Sequence, residues 1–230
     1  MKIALFFTRG ISLRVWHRAG LIHRDTLLYR RLHEDGHEVI FVTYGDHDDA
    51  TYLPEDLPFR VLTKPEGLSH RQYGRRVLDI HGDVLADVDL VKAHQVDGSI
   101  YALRAARKLG KPFHLRCGYL PSFFLRREKA GLVERARIVI EEAKCFRQAD
   151  AFSVPSMSEV DYVCRRYRAT RAKGNVCPNW VDTSFFAPDP ALTKHPRRVC
   201  FIARFEQQKQ PLLFLEAMAG IPDVDLVMVG

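Results

Sequence analysis

The chain has 230 residues, of which 47% are apolar and 27% charged. That balance excludes a disordered or low-complexity chain, which buries too little surface to offset its ordering entropy, and the length suits one domain and part of another. With 35 Lys and Arg against 28 Asp and Glu the net charge is +7, which invites a nucleic-acid or other anionic partner but equally fits basic decoration of solvated helix faces.

Apolar runs alternate with amphipathic stretches from the start. Residues 2–8 (KIALFFT) read as a strand buried on both faces. Residues 20–36 place Leu21, Leu28 and Leu32 at helical spacing and stop at Gly36, and VIFVT at 39–43 is the next strand. Further strands are expected at 59–62, 88–94, 112–117, 151–155 and 174–178, with helices at about 69–86, 98–110, 124–149 and 157–168. This alternation predicts an α/β fold, a Rossmann-like doubly wound parallel sheet. Prolines 178, 188, 190 and 196 then break the pattern before a new strand, helix and strand at 197–204, 210–220 and 224–230. The expected organisation is a domain over 1–178, a linker over 179–196 and, over 197–230, the opening of a second Rossmann-like domain too small to enclose a core by itself.

No apolar run reaches the roughly 18–20 residues that cross a bilayer, and Arg9 follows the first apolar run with no small-residue cleavage site, so a cytoplasmic location is expected. Cys117, Cys145, Cys164, Cys177 and Cys200 are scattered without a Cys-x-x-Cys pair; they read as reduced thiols, and no metal is expected. Basic residues gather in three stretches: Arg14 to Arg24, Arg126 with Arg127 and Lys129, and Arg165 to Lys173. These are either solvated helix faces or contacts to an anionic membrane or phosphorylated substrate.

In a doubly wound sheet, ligands bind beyond the carboxyl ends of the strands, so the loops there hold the candidate residues. Arg9, Gly10 and Ser12 follow the first strand, but the loop lacks Gly-x-Gly-x-x-Gly, which disfavours a dinucleotide oxidoreductase. Gly10 is either an ordinary turn glycine or a point of close approach for a phosphate or sugar. His94 and Gln95 end the 88–94 strand, where imidazole and amide would meet substrate hydroxyls unless His94 is structural. Arg116 and Tyr119 end the next strand, and Arg116 either holds an anion or caps a helix. Cys117 beside Arg116 invites a thiolate nucleophile, but no base lies at diagnostic spacing. Arg204 and Lys209 flank a loop between a strand and a helix, where two cations and a helix N-terminus suit a diphosphate.

Pro178-Asn179-Trp180-Val181-Asp182, Phe186-Ala187-Pro188, Ala203-Arg204-Phe205 and Lys209-Gln210-Pro211, together with Glu142 ahead of Ala149-Asp150-Ala151, resemble the retaining glycosyltransferases of family four, which have the GT-B fold. The resemblance implies transfer of a hexosyl group from a nucleotide-diphosphate sugar to a hydroxyl of a glycan or lipid-linked saccharide, with retention and without a metal. It places Arg204 and Lys209 on the donor diphosphate, and Gly10 with them on the donor side. Arg9, Ser12, His94, Arg116 and Tyr119 fall to the acceptor side, and basic patches beside Trp16, Phe123 and Phe124 suggest an acceptor met by peripheral contact with the inner face of a membrane.

The pattern departs from the family at three places: Cys117 stands where many relatives have His, and Trp180 and Ala203 stand where Gly is usual. The family's two-glutamate element would fall beyond Gly230, so the chain alone is expected to be catalytically crippled. Two other classes compete. One is a non-catalytic basic module for anionic membrane or nucleic acid, although no nucleic-acid partner is expected; the other is a GT-B epimerase or phosphorylase.

Overall fold

The computed structural model describes residues 1–124 and 131–230, without the Phe124 side chain. The basic trio Arg126, Arg127 and Lys129 lies outside the described residues.

The first compact unit runs from Met1 to Asp182. Strand β1 (Lys2–Phe6) leads through α1 (Leu13–Arg18) and α2 (Ile22–Glu34) to β2 (Glu38–Val42), then by a 3-10 turn at His47–Tyr52 to β3 (Arg60–Leu62). The chain returns through α3 (His70–Leu85) to β4 (Leu90–Ala93), α4 (Ser99–Leu109) and β5 (Phe113–Arg116). It continues through α5 (Pro121–Phe124), α6 (Leu132–Gln148), β6 (Ala151–Val154) and α7 (Met157–Tyr167) to β7 (Gly174–Val176).

All seven strands are parallel, in the order β3-β2-β1-β4-β5-β6-β7. This is the doubly wound, Rossmann-like architecture the alternation predicts. Parallel strands need cover on both faces, and Ala4, Leu5, Phe41, Val91, Phe113 and Phe152 are fully buried accordingly. Helices α3, α4, α6 and α7 pack side by side; right-handed crossovers put α1 and α2 on the opposite face.

Local chemistry sets the helix ends. Ser69 and Gln72 form a reciprocal capping box at α3, and Gly98 and Gly110 bracket α4 with left-handed φ of 87° and 65°. The stretch expected as one helix at 124–149 falls, among the described residues, into α5 and α6. Gly131, extended at φ −64° and ψ 155°, is the N-cap that starts α6 afresh. Helix α1 and the 3-10 turn were not anticipated, being too short to show a period.

The second unit, Thr183–Gly230, holds β8 (Arg198–Ile202), a 3-10 turn at Gln207–Lys209, α8 (Pro211–Met218) and β9 (Asp225–Val229). The two strands pair in parallel from Arg198↔Asp225 to Ile202↔Val229.

Candidate active site

The strand order reverses between β1 and β4, so the loops after these strands form the switch point of the first unit. Backbone bonds tie them together: the His94 N–H donates to Phe6 C=O at 2.9 Å and the Arg9 N–H to Asp97 C=O at 3.0 Å. A Cβ on Gly98 would come within 2.9 Å of Arg9 Cβ and 3.0 Å of its backbone N, and φ there is +87°, so this contact requires glycine.

Arg9 is largely committed within the fold. Its guanidinium bonds Asp97 and reaches Glu141 at 3.3 Å, while Arg137 approaches both carboxylates at 3.4 Å. Glu141 also accepts the Gly98 N–H at 2.9 Å and the Ile100 N–H at 3.4 Å, filling the N-terminus of α4. Burial raises the Glu141 pKa, against the lowering pull of Arg9.

The N-terminus of α1 is filled in the same manner. Ser12 Oγ accepts the Val15 N–H at 3.2 Å, and buried Asp49 accepts those of Leu13 and Arg14 at 3.0 and 2.9 Å. Gly45 leaves the room, since a Cβ there would lie 2.1 Å from Asp49 Cγ. Ser12 is thus a helix cap whose first-turn donors are in use. Gly10, at φ +78°, brings its loop against the start of α3, with a Cβ position 3.0 Å from His70 Nδ1.

A second group lies on the other strand face. In the β4–β5 register Lys92 pairs with His114, so alternation sets Lys92, His94, His114 and Arg116 on one face. Lys92 Nζ donates to Tyr29 Oη at 3.0 Å, and burial, then Arg116, pushes its pKa down to about 7. Burial, helped by Lys92 and Arg116, also holds His94 well below the usual imidazole range and His114 down to about 4. The His94 ring packs on Trp16 at 5.0 Å, and its Nδ1 has no partner among the described residues. Arg116 donates to Asn179 Oδ1 at 3.0 Å and lies over the Trp180 ring at 4.9 Å, with its Nε unpartnered among the described residues.

Tyr119 is exposed, and its carbonyl accepts from Cys117 Sγ at 2.9 Å. Burial pushes the Cys117 thiol far up, so it is a neutral buried group and not the thiolate a nucleophile requires. Gln95 Oε1 accepts the Gly118 N–H at 2.8 Å and joins the β4 and β5 loops.

In the second unit Arg204 follows β8, is 74% exposed at its side chain and has Glu206 as a surface partner at 2.8 Å. Lys209 ends the 3-10 turn and is exposed, with no ion-pair partner among the described residues. Helix α8 begins two residues later with Pro211 and has no side-chain cap. No cluster of three metal-ligating side chains occurs among the described residues.

The model of glycosyltransferase family 4 matches residues 26–185. The chain belongs to glycosyltransferase family 4. No curated protein matches the sequence. Among solved structures, HepE from Anabaena in complex with UDP-glucose aligns at a TM-score of 0.64 and 14% identity, covering 99% of this chain and 60% of that one. Sucrose-phosphate synthase from Thermosynechococcus elongatus aligns at 0.65 and 17%, covering 100% and 62%. A glycosyltransferase from Rickettsia africae aligns at 0.60 and 14%, covering 100% and 60%. These likenesses establish the shared fold, and the family 4 chain spans about 60% of the length of HepE.

Several residues that shape this family 4 site carry no sequence motif. Asp49, Asp97 and Glu141 neutralise loop cations or fill helix ends. Their signal is indirect: glycines at 45 and 98 mark the close contacts. Lys92 was visible as a charge inside an otherwise apolar parallel strand.

Proposed function

We propose that this chain takes part in transfer of a hexosyl group from a nucleotide-diphosphate sugar to an acceptor hydroxyl, with retention at the anomeric carbon. The observation that carries the reading is the pair Arg204 and Lys209, both exposed and flanking the approach to an uncapped helix, in a chain of family 4. As the glycosidic bond breaks, negative charge grows on the leaving diphosphate. Fixed cations oppose that charge at no reorganisation cost and without a metal. The Arg204–Glu206 pair is a surface contact, worth about 0–1 kcal/mol, so a diphosphate displaces it readily. HepE in complex with UDP-glucose makes a uridine diphosphate sugar the first donor to assay.

Residues 1–178 then form the acceptor-side domain, 179–196 the linker and 197–230 the donor side. His94, Arg116 and Tyr119 serve the acceptor, a glycan or lipid-linked saccharide met at the cytoplasmic face of a membrane. Arg9, Gly10 and Ser12 set the loop beside them: Arg9 through its carboxylates, Gly10 through its backbone, which also faces the donor, and Ser12 through its cap. The test is transfer from UDP-glucose and other nucleotide sugars, assayed on the 230-residue chain. The expected products are a new glycoside and free nucleoside diphosphate, lost in Arg204→Ala and Lys209→Ala. Isomerised nucleotide sugar would point to an epimerase instead, and phosphate-dependent sugar release to a phosphorylase.

A further inference from the structure

A groove of about 520 Å³ opens in the first unit between α3, α4 and α6, with the loop after β1 at its side. Arg9, Arg71, Arg75, Arg104, Arg137 and Lys144 line it, against the single carboxylate of Glu141. That carboxylate is already engaged by Arg9, Arg137 and the N–H groups of Gly98 and Ile100. Arg71, Arg75, Arg104 and Lys144 are exposed and have no carboxylate partner among the described residues. A solvated helix face would disperse such charges; here three helices and a loop turn them toward one concavity, at a cost in mutual repulsion. Arginine forks match phosphate oxygens in pairs, and a concave cationic wall concentrates anions.

One wall is of another kind. Val133, Arg137, Ile140 and Lys144 follow one another by four, three and four residues, so apolar and cationic side chains alternate along one face of α6. Val133 is 86% exposed and Ile140 65% exposed. A ligand with an anionic head and an apolar body matches both features.

We propose that this groove binds a phosphate ester bearing at least two negative charges, the phosphate among the arginines and an apolar substituent along α6. The groove is lined by residues of the first unit and does not rest on the transfer reading. A phospholipid headgroup and a soluble phosphorylated molecule share this chemistry, and the experiment separates them.

Calorimetry of the Arg204→Ala/Lys209→Ala chain, in which the proposed diphosphate pair is removed, with inorganic pyrophosphate and with short-chain phosphatidic acid should show one saturable site. Affinity should fall at least about tenfold in Arg75→Glu/Arg104→Glu but stay within about twofold in Arg165→Glu/Arg166→Glu, a charge-matched change on α7. Where circular dichroism shows the glutamate pair misfolded, Arg75→Gln/Arg104→Gln replaces it. Flotation with phosphatidylcholine vesicles, with and without phosphatidic acid, then names the source. Co-flotation with acidic vesicles alone marks a lipid headgroup, and binding of the short-chain ester without flotation marks a soluble ligand; both support the site. Absence of saturable binding in that chain at low salt, or equal losses in the two arginine-pair variants, would overturn it.

Discussion

Arg9 and Arg204 hold matching places, each in the loop that leaves the first strand of a strand-helix-strand unit, and their surroundings differ completely. Arg9, with 12% of its side chain exposed, bonds Asp97 and Glu141, and the neighbouring helix ends are filled by Asp49 and Glu141. Arg204 is exposed, has one surface partner, and precedes a helix without a side-chain cap. A cation at the ligand edge of a sheet is therefore not by itself a ligand group. What separates the two is whether the fold's own carboxylates already occupy it. A desolvated guanidinium has to be paired, whereas an exposed pair gives way to a better anion.

The largest expected effect breaks the buried side of this contrast. Arg9→Ala leaves Glu141 buried with Arg137 as its remaining cation, which should cost about 3–5 kcal/mol in urea denaturation. A loss below about 1 kcal/mol would place Arg9 with the available cations and erase the distinction. The exposed side is tested by Arg204→Ala. Stability should stay within about 0.5 kcal/mol. The rate constant for sugar transfer should drop about 10²–10³-fold, the range for losing one fixed donor to developing negative charge.

The contrast was only half legible in the sequence, for a physical reason. Strands β1, β2 and β4 announce themselves as apolar runs, and Gly36 and Gly110 mark helix ends, because those signals are local. Arg204 and Lys209 stand in a short contiguous motif. The groups that neutralise Arg9 and fill α1 do not: Asp49 meets Leu13 across 36 residues, Asp97 meets Arg9 across 88, and Glu141 meets Arg9 across 132. Such pairings exist only once the sheet has brought its carboxyl ends together. The six residues of α1 cover under two turns, too few to show a period.

Lys92 sharpens the comparison from a third position, as a buried cation with a phenol beside it and no carboxylate partner among the described residues. Its folded pKa of about 7 lies below the unfolded value of 10.5, so between these the unfolded chain binds more protons and stability rises with pH. Below pH 7 the full cost of the buried charge remains. Lys92→Met should therefore stabilise the chain by about 1–3 kcal/mol at pH 6, after the lost bond to Tyr29, with the gain fading toward pH 10.5. His114, at about 4 when folded against 6.5 unfolded, contributes a slope of the same sign lower down, stability being lost as pH falls from about 6.5 to 4. Paired melts at pH 6 and 9 check Lys92, and a pair at about pH 4 and 6.5 checks His114. A Lys92→Met gain that does not shrink with pH would mean that packing, not charge, sets it.

The smallest expected effect concerns Trp180, which stands where the family usually has glycine. Its ring covers Arg116 at 4.9 Å and its Nε1–H donates to Arg24 C=O at 3.1 Å, so it pins the end of the first unit over the cationic face of β4 and β5. Trp180→Gly removes, at a half-buried position, one cation–π contact and one exposed hydrogen bond, about 1 kcal/mol together apart from the ring's own packing. Its value lies in what it uncovers. Arg116, freed of the ring but still held by Asn179, would move from the enclosed class of Arg9 toward the open class of Arg204, and should gain reactivity toward an arginine-selective dicarbonyl reagent. If labelling of Arg116 does not rise while the urea midpoint falls, Trp180 is a structural anchor alone, and enclosure of this arginine comes from the strands.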